Sequence, residues 1–280
     1  MKLGITGATG QLGQLVVASL KAKVGASELV ALVRTPGKAA ILGIESRAFD
    51  YTKAENLAAA LAGIDRLLLI SGNEIGQRAE QHANVIEAAK KAGVKSIVYT
   101  SLLRADTSSL NLAAEHVKTE QALLKSGLNY TILRNGWYTE NYTGSIAGAL
   151  AGGAFIGSAG NGKIASAARA DFAEAAAVVL TTAGHEGKVY ELAGDTAYML
   201  SDLAAEVSRQ AGKEIPYLNL SETDYADKLK SFGVPEGFAA AIASWDTSAS
   251  KGDLFDDGKQ LSKLIGRPTT PLATVVAAAL

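Results

Sequence analysis

The run KLGIT (residues 2–6) passes without a break into GATGQLG (residues 7–13), and this joined stretch decides the fold. A short apolar strand comes first, glycines follow at positions 7, 10 and 13, and QLGQLVVASLKAK then reads as a helix. Between strand and helix, glycines at this spacing have mechanical purposes. One makes a tight turn, one lets backbone approach a pyrophosphate, and one lets the helix pack on the strand. The helix N-terminus adds N–H groups without helical partners and a partial positive charge. Gly7, Ala8, Thr9, Gly10, Gln11 and Leu12 are therefore expected to cradle the phosphates of a dinucleotide.

Outward from this stretch, strands and helices alternate to about residue 135. ELVALV, SRAF, RLLLIS, KSIVYTS and NYTILR read as strands, with helical runs between them. Most of these strands are continuous apolar runs instead of alternating ones, as in a parallel sheet covered on both faces. Short connections imply right-handed crossovers and a doubly wound sheet. Gly63, Gly93 and Gly127 stand where a helix ends in a left-handed residue. After Arg134 the rhythm breaks into Gly-, Ala- and Ser-rich sequence, a helix around ADFAEAAAVVLTTAG with Asp171 as a plausible N-cap, the strand KVYELAG, and a helix from about Ser201. The expected fold class is α/β: a Rossmann-type doubly wound parallel sheet with a smaller mixed C-terminal domain. The expected division is 1–135 and 136–280, with 188–192 returning to the main sheet.

Four further places at the strand ends carry chemistry. At the end of the second strand, NAD-selective sites usually place Asp or Glu for the ribose hydroxyls. Arg34 stands there with Lys38 close behind, and a guanidinium can grip a 2′-phosphate in a forked contact. NADP is expected over NAD. Asp50 and Tyr51 close the third strand, either flanking an adenine or forming a capping turn. Ser71, Gly72 and Asn73 close the fourth, where small residues let a ribose come close at the rim that binds ligands in open sheets. Trp137, Tyr138 and Tyr142 follow the sixth strand, with Asn141 among them. They either meet a flat substrate or serve as packing.

TGATGQLG, LLLISGNEIGQR, YTSLLRADTSSL, EHVKTE, YTILRNGWYTENY and DLFDDGKQLSKLIGRPTT together resemble the bacterial NmrA-like NAD(P)H:quinone oxidoreductases, atypical members of the short-chain dehydrogenase superfamily. The similarity spans the whole chain. RNGWYTENY and ISGNEIGQR are its most specific parts, and triphenylmethane dye reductases share the layout with less similar wording. The resemblance implies an NADPH-dependent quinone reductase with no metal and no flavin. It also implies cofactor contacts at Gly7 to Leu12, Arg34, Ser71 to Asn73, Asn135, Gly136, Trp137, Tyr138, Thr139 and Glu140.

Dehydrogenases of that superfamily carry a Tyr-x-x-x-Lys pair. Here the stretch AEHVK (residues 114–118) keeps Lys118 but has Ala114 in the tyrosine's place, thirteen residues after Ser101. The usual proton donor is absent. Reducing a quinone yields an anion of phenol strength that can take its proton from water, whereas an ordinary ketone would need a positioned acid. Lys118, His116 and Tyr138 are the alternatives for a catalytic group. His116 points about 200° from Ala114 on a helix and reads as a partly exposed or capping histidine. Glu115 and Glu120 read as exposed charges. A non-catalytic NADP(H)-sensing regulator, a redox sensor of NmrA type, is the alternative function, and a sugar epimerase ranks last for want of the tyrosine.

Composition removes other classes. With no cysteine, and with His82, His116 and His185 far apart, neither a thiolate nor a metal site is expected. A net charge of -1 without a basic block gives no footprint for nucleic acid. No apolar run approaches the roughly 20 residues of a membrane span. A cytoplasmic protein, monomeric or homodimeric, acting on a small-molecule quinone is the expectation.

Overall fold

Parallel pairing follows from the buried apolar runs in the computed structural model, which describes residues 1–280. In chain order the elements are β1 (Leu3–Thr6), α1 (Gln11–Lys21), β2 (Leu29–Val33), β3 (Glu45–Ala48), α2 (Ala54–Ala60), β4 (Arg66–Leu69), α3 (Arg78–Ala92) and β5 (Ser96–Leu102). Then come α4 (Ala113–Ser126), β6 (Asn129–Asn135), α5 (Glu140–Thr143), α6 (Ile146–Gly152), β7 (Phe155–Gly157), α7 (Arg169–Thr181) and β8 (Val189–Leu192). The chain closes with α8 (Leu200–Ala211), β9 (Tyr217–Asn219), α9 (Glu222–Ser231), α10 (Glu236–Ser250), α11 (Gln260–Ile265) and α12 (Leu272–Ala277).

The main sheet has seven strands in the order β3-β2-β1-β4-β5-β6-β8. The pairings of β1 through β6 are all parallel. The order reverses at β1, which lies between β2 and β4, so α1 and α3 leave for opposite faces and the sheet is doubly wound. One face is closed by α2, α3 and α4, whose Leu57, Val85 and Leu123 join the strands' Leu67, Ile97 and Ile132 in a buried cluster. On the other, α1 packs against α7. Helix α1 buries Leu12, Val16, Val17 and Leu20, the stripe that 3.6-residue periodicity puts on one side.

The chain divides into two compact units: Met1–Asp106, Leu112–Asn135 and Arg169–Glu191 form the first, and Thr107–Asn111, Gly136–Ala168 and Leu192–Leu280 the second. Neither 1–135 nor 136–280 is thus one body: Thr107–Asn111 belong to the second unit, and α7 and most of β8 belong to the first. Two expected helix caps also differ. Asp171 is buried inside the first turn of α7, and Ser201 lies within α8, where Asp202 accepts the Met199 N–H at 2.9 Å.

The second unit has a two-stranded parallel sheet, β7 with β9, and a helical hairpin, α9 with α10. Asp246 of α10 is buried there, accepting the Ser158 N–H at 3.0 Å and the Tyr142 hydroxyl at 3.2 Å. Burial pushes its carboxyl up from 3.8 to about 6, against the pull of those two donors. A pKa raised by folding means stability is greatest below the unfolded value and falls as pH rises through the folded one. Asp246→Asn, which keeps an oxygen for the Ser158 N–H, should match the parent near pH 4. It should become more stable by up to about 3 kcal/mol above pH 6, read as the difference between urea midpoints across that range.

Candidate nucleotide-binding site

The glycine loop seats the first helix at close range. Gly7 has φ 57°, a left-handed turn that costs a side-chain-bearing residue energy, and its carbonyl accepts the Gly10 N–H at 2.9 Å. A Cβ on Gly13 would lie 2.3 Å from the Gly7 carbonyl oxygen, so only glycine lets α1 come this near. Gly10 is the N-cap of helix α1, which has no side-chain cap and no acid in its first turn. The amides of Gln11, Leu12 and Gly13 have no acceptor within the protein. Left-handed turn, close helix and uncapped positive end are what a pyrophosphate requires, so these residues fit the group.

Around this loop the neighbouring strand ends are fixed. Thr6 Oγ1 accepts the Ile70 N–H at 2.9 Å, and the Tyr51 hydroxyl bonds to both Thr6 Oγ1 and the Ile70 carbonyl. Tyr51 therefore ties β1 to the end of β4, its hydroxyl pKa raised by burial. Arg34 and Lys38 are exposed beyond β2, and Arg34 Nη1 meets Glu74 Oε1 at 3.2 Å. The Asp50 carboxyl lies below its usual range, through Thr52 hydrogen bonds first and the fields of Lys53 and Arg34 after them.

The Ser71–Asn73 turn is gripped from behind. Ser71 N–H donates to Thr100 Oγ1 at 2.9 Å, and Gly72 N–H donates to His82 Nε2 at 3.0 Å. The Gly72 carbonyl accepts from Arg78 Nε. Because Nε2 accepts, the His82 proton sits on Nδ1 and points to Thr119 Oγ1 at 2.9 Å, and that hydroxyl donates to the Glu115 carbonyl. Burial, aided by the Arg78 charge, lowers His82 to about 4 and keeps it neutral. The Glu115 carboxylate takes the N–H groups of Gly76 and Arg78 and so holds the start of α3. Arg78 and His82, four apart on one face of that helix, were not singled out from sequence. Their spacing after SGN was the available signal.

Helix α4 departs from expectation. Glu120 is buried, not exposed: it accepts from Ser101 Oγ and makes a two-pronged pair with Arg134, at 2.9 Å from Nε and 2.7 Å from Nη2. Glu115 is likewise engaged, and His116 is buried, not partly exposed, with Nδ1 2.8 Å from the Tyr99 hydroxyl. Burial first, then the Arg78 charge and His82, lowers His116 to about 3. Ala114 and Lys118 share the exposed face of α4, where the Lys118 side chain makes no hydrogen bond or ion pair. Ser101 thus serves a buried carboxylate.

In the second unit, residues 137–139 run beside Ala167: Ala167 N–H donates to the Trp137 carbonyl and Thr139 N–H to the Ala167 carbonyl. Gly136 N–H donates to the Leu192 carbonyl, and Thr139 Oγ1 lies 2.8 Å from Ser166 Oγ. Trp137 is buried, edge-on to Trp245 at 5.5 Å between ring centroids, and its indole Nε1 has no hydrogen-bond partner. Tyr142 turns inward to Asp246, while Tyr138 and Glu140 are half-buried and Asn141 is exposed. Asn135 is buried at the end of β6, its carbonyl accepting the Leu103 N–H. No group of three or more His, Cys, Asp or Glu residues could hold a metal ion.

Comparison with known proteins agrees with this geometry. A family model described as NAD(P)H-binding matches residues 7–183, the class that the loop and sheet define. Quinone oxidoreductase 2 of Escherichia coli is 60% identical over 277 residues, covering 98% of this chain and 97% of that protein. The crystal structure of the NADPH-dependent quinone oxidoreductase of Escherichia coli complexed with NADPH superposes with a TM-score of 0.96, covering 99% of both chains. The Citrobacter sp. triphenylmethane reductase complexed with NADP(H) also gives 0.96, at 40% identity over 100% of both chains. The chain belongs to the NAD(P)H-binding family, among its NmrA-like quinone oxidoreductases.

Arg134 Nη1 also meets Glu191 at 2.8 Å and Asp106 at 3.0 Å, so the guanidinium keeps acidic partners when Glu120 is removed. Glu120→Ala, which deletes two charge-assisted bonds to Arg134 and the acceptor of the Ser101 hydroxyl, should lower the unfolding free energy by about 1.5–3 kcal/mol, measured by urea denaturation. Glu115→Ala, which deletes hydrogen bonds at a more exposed site, should lose less.

Proposed function

We propose that this chain is an NADPH-dependent quinone reductase working without a tyrosine acid. The observation that carries the reading is the 60% identity, over 98% of this chain, to the Escherichia coli quinone oxidoreductase. The residues explain why that chemistry suits them. The amides of Gln11, Leu12 and Gly13, with Gly7, Ala8, Thr9 and Gly10, take the pyrophosphate. Arg34 and Lys38 take the 2′-phosphate, with Asp50 and Tyr51 bordering the adenosine side. Ser71, Gly72 and Asn73 present a rigid edge to a ribose, because His82 and Arg78 hold both sides of the Gly72 peptide. Residues Asn135 to Glu140 complete the cofactor contacts, and Trp137, Tyr138 and Asn141 meet the quinone, with Tyr142 supporting them from the interior.

When bound, the nicotinamide supplies a hydride. The protein's residues supply orientation, not a proton. Ala114 has no acidic group, and His116 is neutral and buried behind Tyr99. An ordinary carbonyl forms an alkoxide, a base about as strong as hydroxide. A quinone forms an anion whose conjugate acid lies near the ~10 of a phenol. The difference, several kcal/mol, removes the need for an acid at position 114. Lys118 serves as a ribose contact from the exposed face of α4. No helix is long and apolar enough to cross a membrane. A cytoplasmic location and a monomeric or homodimeric state complete the proposal.

Steady-state NADPH oxidation with a simple benzoquinone should give a quinone-dependent rate, while simple ketones give none above background. Tight NADPH binding without a quinone-dependent rate would instead identify an NADP(H)-sensing regulator. Trp137→Ala should lower quinone kcat/KM by roughly three- to tenfold, the worth of one aromatic contact. Trp137→Phe should recover most of it, and an unchanged kcat/KM in a folded Trp137→Ala protein would remove Trp137 from the substrate site.

A further inference from the structure

The ion pair between Arg34 and Glu74 lies where the sheet reverses. Strand β1 is flanked by β2 on one side and β4 on the other, and the glycine loop springs from its carboxyl end. Arg34 is the first residue past β2, and Glu74 comes in the turn after β4. Their contact at 3.2 Å therefore straps across the end of β1, joining the two edges between which the dinucleotide site is laid out. The strap is anchored on one side only. Glu74 Oε2 accepts from Gln81 Nε2 at 2.7 Å, so α3 holds the carboxylate, whereas the Arg34 side chain is 67% exposed.

We infer that Glu74 is a specificity-determining residue: its carboxylate occupies Arg34 in an internal pair that the 2′-phosphate of the cofactor must displace. The inference rests on Arg34 as the phosphate grip of the proposed function and assigns a new role to its partner. An exposed pair of this kind is weak, so it yields readily. A phosphate dianion offers Arg34 a forked contact with two negative charges, stronger than a single carboxylate oxygen. The ribose hydroxyl of NADH has no charge with which to compete, so NADH leaves the pair closed. Glu74 thus lowers NADPH affinity by the strength of the pair, and its removal should act on NADPH almost alone.

Calorimetric titration of the full chain with NADPH and with NADH tests this. Glu74→Gln keeps an oxygen for Gln81 but releases Arg34, and should tighten NADPH binding by about two- to fivefold, the range of an exposed pair, leaving NADH within error. Glu74→Ala should change in the same direction. Arg34→Ala should weaken NADPH selectively, and adding Glu74→Gln to it should then do nothing more. If Arg34→Ala lowers NADPH affinity selectively but Glu74→Gln leaves it unchanged or weakens it, the strap is refuted while the cofactor assignment stands. If Arg34→Ala affects NADPH and NADH alike, both the strap and Arg34 as the 2′-phosphate grip fall.

Discussion

Everything in the nucleotide site depends on how closely α1 approaches the loop that precedes it. The hydrogen at Gly13 leaves room for the Gly7 carbonyl that a methyl group would displace. That contact sets the helix end beside the carboxyl edge of β1, where its amides have no other acceptor. Without it the helix would still form, since its buried stripe of Leu12, Val16 and Leu20 is intact, but its positive end would sit elsewhere. Position, not helix formation, is what glycine secures here.

Behind the loop, the protein supports backbone with buried side chains. Gly72 cannot pair in the sheet once β4 has ended at Leu69, so its N–H and carbonyl need partners from outside the ladder. His82 and Arg78 supply them, and Thr119 fixes the tautomer that makes His82 an acceptor. A neutral imidazole suits this place because a charged one would lose its acceptor and pay desolvation. Rigidity of the turn thus follows from satisfying two peptide groups that the sheet abandons. The neighbouring helix uses its polar residues likewise: Glu120 pairs with Arg134, and His116 pairs with Tyr99.

The main sheet and the glycine loop were legible because both are local signals. A continuous apolar run says parallel strand, and glycine between strand and helix says close approach. The polar support was not legible, since its partners are distant in sequence. Glu120 looks like a surface acid on a helix, and only the packing of α4 beside β6 brings Arg134 to it. His116 has the same history, its neighbour Tyr99 lying one strand back. The helix starts at Asp171 and Ser201 misled because a cap-forming residue type also occurs inside first turns, where backbone conformation and not composition decides. The return of residues 169–191 to the first unit was hinted by one short strand but not by its helix, since an apolar helix reads alike in either body.

Ala114 and Lys118 show how a lost acid can coexist with an otherwise complete scaffold. The buried side of α4 carries Ala113, His116, Thr119, Glu120 and Leu123, and it holds the strand ends together. The exposed side carries Ala114 and Lys118, which bear no structural load. A change from tyrosine to alanine on that side removes no packing and leaves no buried group unsatisfied, so the fold does not resist it. The constraint on position 114 is then chemical alone. An acid is needed there for acceptors that form alkoxides and not for those that form weakly basic anions, and so the acceptor, not the fold, sets whether alanine can stand there.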